Sequence, residues 1–417
     1  MNSTAHRLSF IIYHSSFSVM RIAIDAMGGD RAPEEVVKGA LAAARDFGVG
    51  VTLVGDENAI HKYLPAQLPN GIEVRHASQV LEMGEAPTQV RRKKDSSIAV
   101  ATRLHKEGHA QAVLSAGNTG AAAAAALFTL ERIPGVDRPG IATIFPTAKQ
   151  PLVLLDAGAN VDCRPQHLAQ FALMGAAYSR CITQIICSTA GDFFGVSQNN
   201  LSADFSDKTA QKPIPRVGLL SIGEEETKGN ELTKAAFKLL QTGASSGEYS
   251  FFGNVEGRDI GAGTVEVVVC DGFVGNVVLK VAEGLAKMFG AEMRRALTSD
   301  WRAKIGALIL KPALGRFKKR LDYTEFGGAA LLGVNGICII CHGSSDQRSI
   351  YSAIRIALEI EKAGVTDAIR AAIESGNAIQ TQAVRDATIE ESANGKLAQT
   401  ELIQTESGQS VVPPINF

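Results

Sequence analysis

Three stretches set anion-holding residue types at the ends of strand-like runs. QAVLSAGNTGAAAAAA (111–126), LVLLDAGANVD (152–162) and VEVVVCDGFVGN (265–276) each pass from an apolar run to Ser or Asp, then into a Gly/Asn-containing loop that opens a helix. At the carboxyl ends of parallel strands, such loops present backbone N–H groups and helix N-termini to phosphate or carboxylate. Ser115, Asn118, Thr119, Asp156, Asn160, Asp162, Asp271 and Asn276 are therefore candidate ligands, and the three loops are expected to share one polar cleft. None carries G-x-G-x-x-G after its strand, so the site reads as a phosphate or carboxylate site without a nicotinamide cofactor.

A cation is offered by Lys228 in ETKGNE, a Gly-containing loop after an apolar strand, where lysine reaches into a crevice as a mobile point charge. The same residue also reads as an exposed loop lysine beside Glu224, Glu225 and Glu226. Asn276 lies just inside a helix start, where its amide either donates to a phosphate or carbonyl oxygen or serves the helix end. Around Asn118 and Thr119, small residues let N–H groups approach an oxyanion, although the same glycines would serve helix packing. Asp25, Asp30, Asp156, Asp162 and Asp271 stand near strand ends as orienting groups, a general base, or caps. Spread over roughly 250 residues, they have no metal-ligand spacing of their own, and no metal or other cofactor is expected.

Cys338-Ile339-Ile340-Cys341-His342 matches the C-x-x-C-H haem-attachment string. It lies in an apolar strand whose alternation would turn the two thiols to opposite faces, which argues against haem and leaves His342 at a strand end, facing a cleft. The other cysteines, Cys163, Cys181, Cys187 and Cys270, form no disulfide framework in a chain of 417 residues.

The elements that must position these residues alternate. Strands are expected at 20–26, 50–55, 71–75, 111–116, 140–145, 151–156, 215–222, 249–253, 265–270 and 336–341, with helices between most of them. That succession implies a large, mostly parallel α/β sheet covered by helices on both faces. A net charge of −1 gives no global attraction to nucleic acid. Residues 1–19 lack an export-type cleavage site and read as an extension or an upstream start. Residues 187–213 read as a polar surface insertion and 371–417 as a disordered polar tail, leaving 20–370 as the α/β domain. No run of about 18 uninterrupted apolar residues occurs.

DAMGGD (25–30), RRKKDSS (91–97), SAGNTGA (115–121), LLDAGANVD (154–162), RVGLLSIGEEETKGNEL (216–232), GNVEGRDI (253–260), DGFVGNVVLK (271–280) and HGSSD (342–346) occur in this order. Together, over roughly 20–365, they resemble the PlsX family of phosphate acyltransferases. The resemblance implies transfer of an acyl group from acyl-acyl-carrier protein to inorganic phosphate, on a fold akin to isocitrate/isopropylmalate dehydrogenases and phosphotransacetylases, in a homodimer. It makes Lys228 and Asn276 the leading catalytic candidates. It adds Gly28, Gly29, Lys93, Asn230, Glu231 and Lys280 to the substrate or phosphate site. The extension, the insertion and the tail depart from the family pattern and lie outside its motifs.

Two basic stretches point to partners. Arg91, Arg92, Lys93 and Lys94 would meet an acidic carrier protein or phosphate, or else form a solvated helix start. In 301–321, Trp301, Ile305 and Leu308 precede Pro312, while Leu314, Phe317 and Leu321 follow it beside Arg316, Lys318, Lys319 and Arg320. This basic amphipathic helix pair fits an anionic membrane surface or, as a dimer or core element, protein. The family's product would then pass to an integral membrane acyltransferase. Rival readings are an NAD- and metal-dependent decarboxylating dehydrogenase of related fold, and a non-catalytic scaffold docking carrier protein at a membrane.

Overall fold

Short apolar runs bounded by Gly, Ser or Asp become strands and the periodic segments between them become helices in the computed structural model, which describes residues 20–189, 214–321 and 327–379. The strands are β1 Arg21–Asp25, β2 Gly50–Gly55, β3 Ile72–His76, β4 Ala112–Ser115, β5 Gly140–Phe145, β6 Leu152–Leu155, β7 Arg216–Leu220, β8 Ser250–Val255, β9 Val267–Val269, β10 Ala329–Leu332 and β11 Ile337–Ile340. The helices are α1 Glu34–Phe47, α2 Glu57–His61, α3 Ser97–Lys106, α4 Thr119–Thr129, α5 Pro165–Thr189, α6 Glu231–Gly243, α7 Gly257–Ala262, α8 Gly272–Leu297, α9 Trp301–Leu321, α10 Gln347–Lys362 and α11 at 365–379. The expected extension at 1–19 and nearly all of the insertion lie outside the described residues.

All eleven strands join one sheet in the order β3-β2-β1-β4-β11-β10-β5-β6-β9-β7-β8. It is mostly parallel, as expected, but in two blocks. Strands β3 to β11 run one way and β6 to β8 the other, because β10 and β5 pair antiparallel with each other, β10 with β11, and β5 with β6. The carboxyl ends of the two blocks therefore lie at opposite edges. SAGNTG leaves one edge, and LDAGAN and DGFVGN leave the other, which a sheet running in one direction would not have produced.

Helices cover both faces. On one, alanines of α4 and Ile98 and Ala101 of α3 pack on Val113, Ile141, Leu331 and Ile340. On the other, α1, α5, α10 and α11 cover Ile22, Leu114, Ile144 and Leu155. Strand alternation puts Cys338 against the first face and Cys341 against the second, with both thiols free, buried and pushed up to about 12 by burial.

Two expected boundaries move. Helix α11 runs through 371–379, inside the expected tail, because Val365, Ile369, Ala372 and Ile373 form a buried stripe at helical spacing. The segment 301–321 is one helix carrying Pro312 in its interior, not two helices split there. Residues flanking Pro312 are exposed, where water can take the carbonyl that loses its intrahelical donor.

Candidate active site

The LDAGAN loop is built on one carboxylate. Asp156, fully buried, accepts from the N–H groups of Ile141 (3.0 Å), Gly158 (3.0 Å), Ala159 (2.9 Å) and Asn160 (2.7 Å) and from Asn160 Nδ2 (2.8 Å). Asn160 Nδ2 also donates to the Pro139 carbonyl at 2.7 Å. Both side chains were expected as ligands, and both are spent on the loop. Onto this loop sits the first turn of α8, capped by Asp271, which accepts from Val274 N–H at 2.9 Å. The approach needs glycine: a Cβ at Gly272 would lie 2.7 Å from the Asn160 carbonyl oxygen, and one at Gly275 would fall on the Asp156 carbonyl. Gly275→Ala is expected to destabilise the fold by about 1–3 kcal/mol through overpacking and to shift Asn276, the next residue. A thermal melt checks it, and an unchanged midpoint would show that α8 can slide.

At the opposite edge Asp25 ends β1, buried, and accepts from Ser115 Oγ at 2.7 Å. Burial pushes its carboxyl above the usual carboxylate range, against the pull of its hydrogen bonds. A Cβ at Gly28 would lie 2.6 Å from Asp25 Oδ2 and 2.7 Å from the Gly117 nitrogen, so DAMGG and SAGN pack backbone on backbone. The HGSSD loop joins them through Asp30 N–H to the Gly343 carbonyl (2.8 Å) and Arg31 Nη2 to the Ser344 carbonyl (2.7 Å). Asn118 caps α4 by accepting from Ala121 N–H, while its Nδ2 donates to the Met83 and Glu85 carbonyls, each at 2.9 Å. With both ends engaged, Asn118 is a brace, and the exposed Thr119 beside it is the group left to meet a ligand.

Helix α8 starts at one edge and runs to the other, and this reunites the loops. Between it, the N-terminus of α4 and the central strands lies a cleft of about 900 Å³. Its floor is apolar, with Ile141, Phe145, Ala329 and Ile340, and its rim carries Arg31, Thr119, Asn276, Lys280 and His342. Asn276 is exposed, and its amide has no hydrogen-bond partner among the described residues. Lys280 pairs with Glu283 at 3.1 Å, and Glu283 also faces His342 Nε2 at 3.8 Å. Burial, then the Lys280 charge, hold the His342 imidazole below its ordinary value, against the pull of Glu283. A second cleft of about 1250 Å³, with Arg132, Arg138 and Arg164 on its wall, shares Thr119 and Ile141 with the first.

Other expected ligands stand apart from the cleft. Lys93 Nζ is held by the Val80 carbonyl (2.9 Å) and Glu85 (2.8 Å), a structural tie. Arg91 lies 5.1 Å over the Phe128 ring, and Arg92 and Lys94 are exposed. Asn230 caps α6, accepting from Thr233 N–H at 2.9 Å, and Glu231 is that helix's exposed first residue. Asp162 is exposed on the loop before α5, and Gly29 holds a φ of 113° against HGSSD. Lys228 stands exposed after β7, the neighbour of β9, so its loop leaves the same edge as DGFVGN; it does not line the cleft.

A family model described as "Fatty acid synthesis protein" matches residues 20–195 and 196–368. A phosphate acyltransferase of Pelotomaculum thermopropionicum is 52% identical over 342 residues, which are 82% of this chain and 91% of that one. The chain belongs to the phosphate acyltransferase family. Another member, from Geobacter sulfurreducens, is 47% identical over 353 residues, 84% of this chain and 93% of its own. Among solved structures, a phosphotransacetylase from Streptococcus pyogenes aligns with a TM-score of 0.52 at 16% identity, covering 82% of this chain and 94% of that chain, a likeness of fold. In this acyltransferase the sequence reading passed over Arg31 and Glu283. Arg31 directly follows the DAMGGD motif, which was its available signal. Glu283 carried none, because a glutamate inside an amphipathic helix reads as surface.

Proposed function

We propose that the enzyme transfers the acyl group of an acyl-acyl-carrier-protein thioester to inorganic phosphate, giving acyl phosphate and free carrier, and thereby feeds phospholipid synthesis in the cytoplasm. One observation carries this reading: a single cleft joins an apolar floor suited to an acyl chain to a rim of Arg31, Thr119, Asn276, Lys280 and His342 suited to an anion. A phosphate oxygen attacks the thioester carbon, forming a C–O bond and an oxyanion; collapse breaks the C–S bond, and the thiolate leaves with its electron pair. Phosphate is already anionic near neutral pH, so no activated Ser or Cys is required. The protein's work is positioning and electrostatics. Arg31, Lys280 and His342 hold the phosphate, Asn276 and the first N–H groups of α4 donate to the oxyanion, and Lys228 supplies the mobile cation. The arginine-bearing second cleft offers the acidic carrier an approach that meets the first at Thr119. Free thiol from palmitoyl-acyl-carrier protein should appear in proportion to added phosphate. Thiol release without phosphate, or nicotinamide reduction with hydroxy acids in its place, would reject this reading.

A second observation favours peripheral contact of a homodimer with an anionic membrane. Helices α8 and α9 expose Phe289 (66%), Trp301 (66%) and Leu308 (71%), and no described helix is long and apolar enough to cross a bilayer. On α9, Leu314 is half-buried and Phe317 exposed, while the side chains of Arg316, Lys318, Lys319 and Arg320 lie outside what is described. An apolar stripe gains by burial at the acyl boundary, and each basic residue contributes roughly 1 kcal/mol near anionic lipid. The product, itself amphiphilic, would be delivered there to an integral membrane acyltransferase. The Leu314→Glu/Phe317→Glu double variant is expected to stop sedimenting with anionic vesicles at low salt while releasing thiol normally in solution. Loss of the dimer instead would make the stripe a protein interface.

A further inference from the structure

Helix α8 is inverted. Its buried residues are Gly272, Gly275 and Glu283, while Val277, Val281, Leu285, Met288 and Phe289 are exposed. The glycines are explained by the Asp156 and Asn160 backbone beneath them. The glutamate, only 8% exposed, is explained by no packing need, since a buried carboxylate is unfavourable unless charged partners meet it. Its partners are Lys280 Nζ on its own helix and His342 Nε2 from the loop after β11. Asn276, Lys280 and Glu283 recur at i, i+4 and i+7, so one stripe of α8 faces the cleft.

His342 is oriented from behind. Its Nδ1 meets both groups of Ser344, accepting from its N–H at 3.1 Å with its Oγ at 2.8 Å, and acceptance from that N–H assigns the proton of the neutral ring to Nε2, the atom facing Glu283. At 3.8 Å the Nε2–H makes no hydrogen bond with Glu283, and the contact becomes an ion pair only when the ring is protonated, while Lys280 gives Glu283 one of its three N–H donors. We propose that Glu283 is a positioning residue that gathers Lys280 and His342 from opposite sides of the cleft, so that their free donors converge on one incoming phosphate. The proposal rests on the phosphate acyl-transfer reading above.

The groups facing His342 are Lys280, Glu283 and Lys287 of α8 and Asp30 of the loop after β1. Removing the Glu283 charge takes away a group that favours the imidazolium; removing Lys280 takes away one that opposes it. In the full chain, with the His342 ring assigned in NMR spectra through His342→Gln, Glu283→Gln should therefore lower the His342 titration midpoint and Lys280→Gln should raise it. Glu283→Gln should also raise KM for inorganic phosphate about tenfold, the size of one charge-assisted hydrogen bond, with KM for the acyl donor unchanged. Glu283→Asp should recover most of that loss. A His342 midpoint that moves in neither variant, or two KM values that rise together, would overturn the proposal and leave Glu283 a brace for α8. Should Glu283→Gln fail to fold, Glu283→Asp and the exposed Lys280→Gln still give the titration result. If the wild type releases no thiol with phosphate, the reaction reading fails, while the midpoints still decide whether Glu283 governs His342.

Discussion

Asp156→Ala is expected to destabilise the fold by about 3–5 kcal/mol, because it removes one buried acceptor shared by several buried N–H donors. The carboxylate is fully buried and takes four backbone N–H groups and one amide. Alanine would leave the four backbone N–H groups without this acceptor, while Asn160 Nδ2 keeps the Pro139 carbonyl, and each unsatisfied buried donor costs about 1–3 kcal/mol before relaxation or entering water offsets part of it. Asp156→Asn keeps the shape but turns an NH2 group toward donors, so it should recover only part of the loss. Activity should fall in both, because Gly158 of this loop lies directly against Asn276. Urea unfolding reads the effect, and a loss below about 1 kcal/mol would mean the loop is held by its backbone alone.

The same residue shows where reading from sequence stops. Short polar side chains that can bind an anion are also the ones that accept N–H groups at helix starts and turns. Asp156, Asn160, Asn118, Asp271 and Asn230 were legible as special by type and place, and all five turn out to hold loops and caps. What decides is which N–H groups lie within 3 Å, a property of neighbours far along the chain. Thr119 and Asn276, found by the same signal, do line the cleft, as do His342, read from its place at a strand end, and Lys280, which the family resemblance supplied. Glu283 was not found, because its burial is set by His342 across the sheet.

The fold was legible wherever the apolar period was strong. Strand β10 was missed: AALL, set between glycines, has no β-branched residue, and it is a strand because β11 and β5 supply its hydrogen bonds. The reversal between the two parallel blocks arises elsewhere, at the antiparallel β5–β6 pair, since the two antiparallel pairings of β10 cancel; the short link between those two expected strands was its available signal. A chain read as uniformly parallel puts all three loops at one edge, whereas here α8 has to span the sheet to bring Asn276 and His342 to one cleft.

Lys228→Ala should lower turnover by about two to three orders of magnitude, the loss typical of removing one donor that meets transition-state charge. Stability should change by less than about 0.5 kcal/mol. The ammonium is exposed and has no hydrogen bond or ion pair among the described residues, so truncating it breaks no native contact. The loop keeps its shape by other means: Asn254 Nδ2 donates to the Glu225 carbonyl at 2.8 Å, Gly229 takes a φ of 103°, and Asn230 caps α6. Of the three neighbouring glutamates, Glu224 is paired with Arg258 at 2.9 Å. If Lys228 acts only as charge develops, kcat and kcat/KM should fall together, and Lys228→Arg should restore little, because a rigid planar fork replaces a compact point charge. A rise in KM alone would make Lys228 a ground-state phosphate ligand. Near-wild-type thiol release would remove it from the mechanism, leave ETKGNE a structural turn, and place the reaction's positive charge on Arg31 and Lys280.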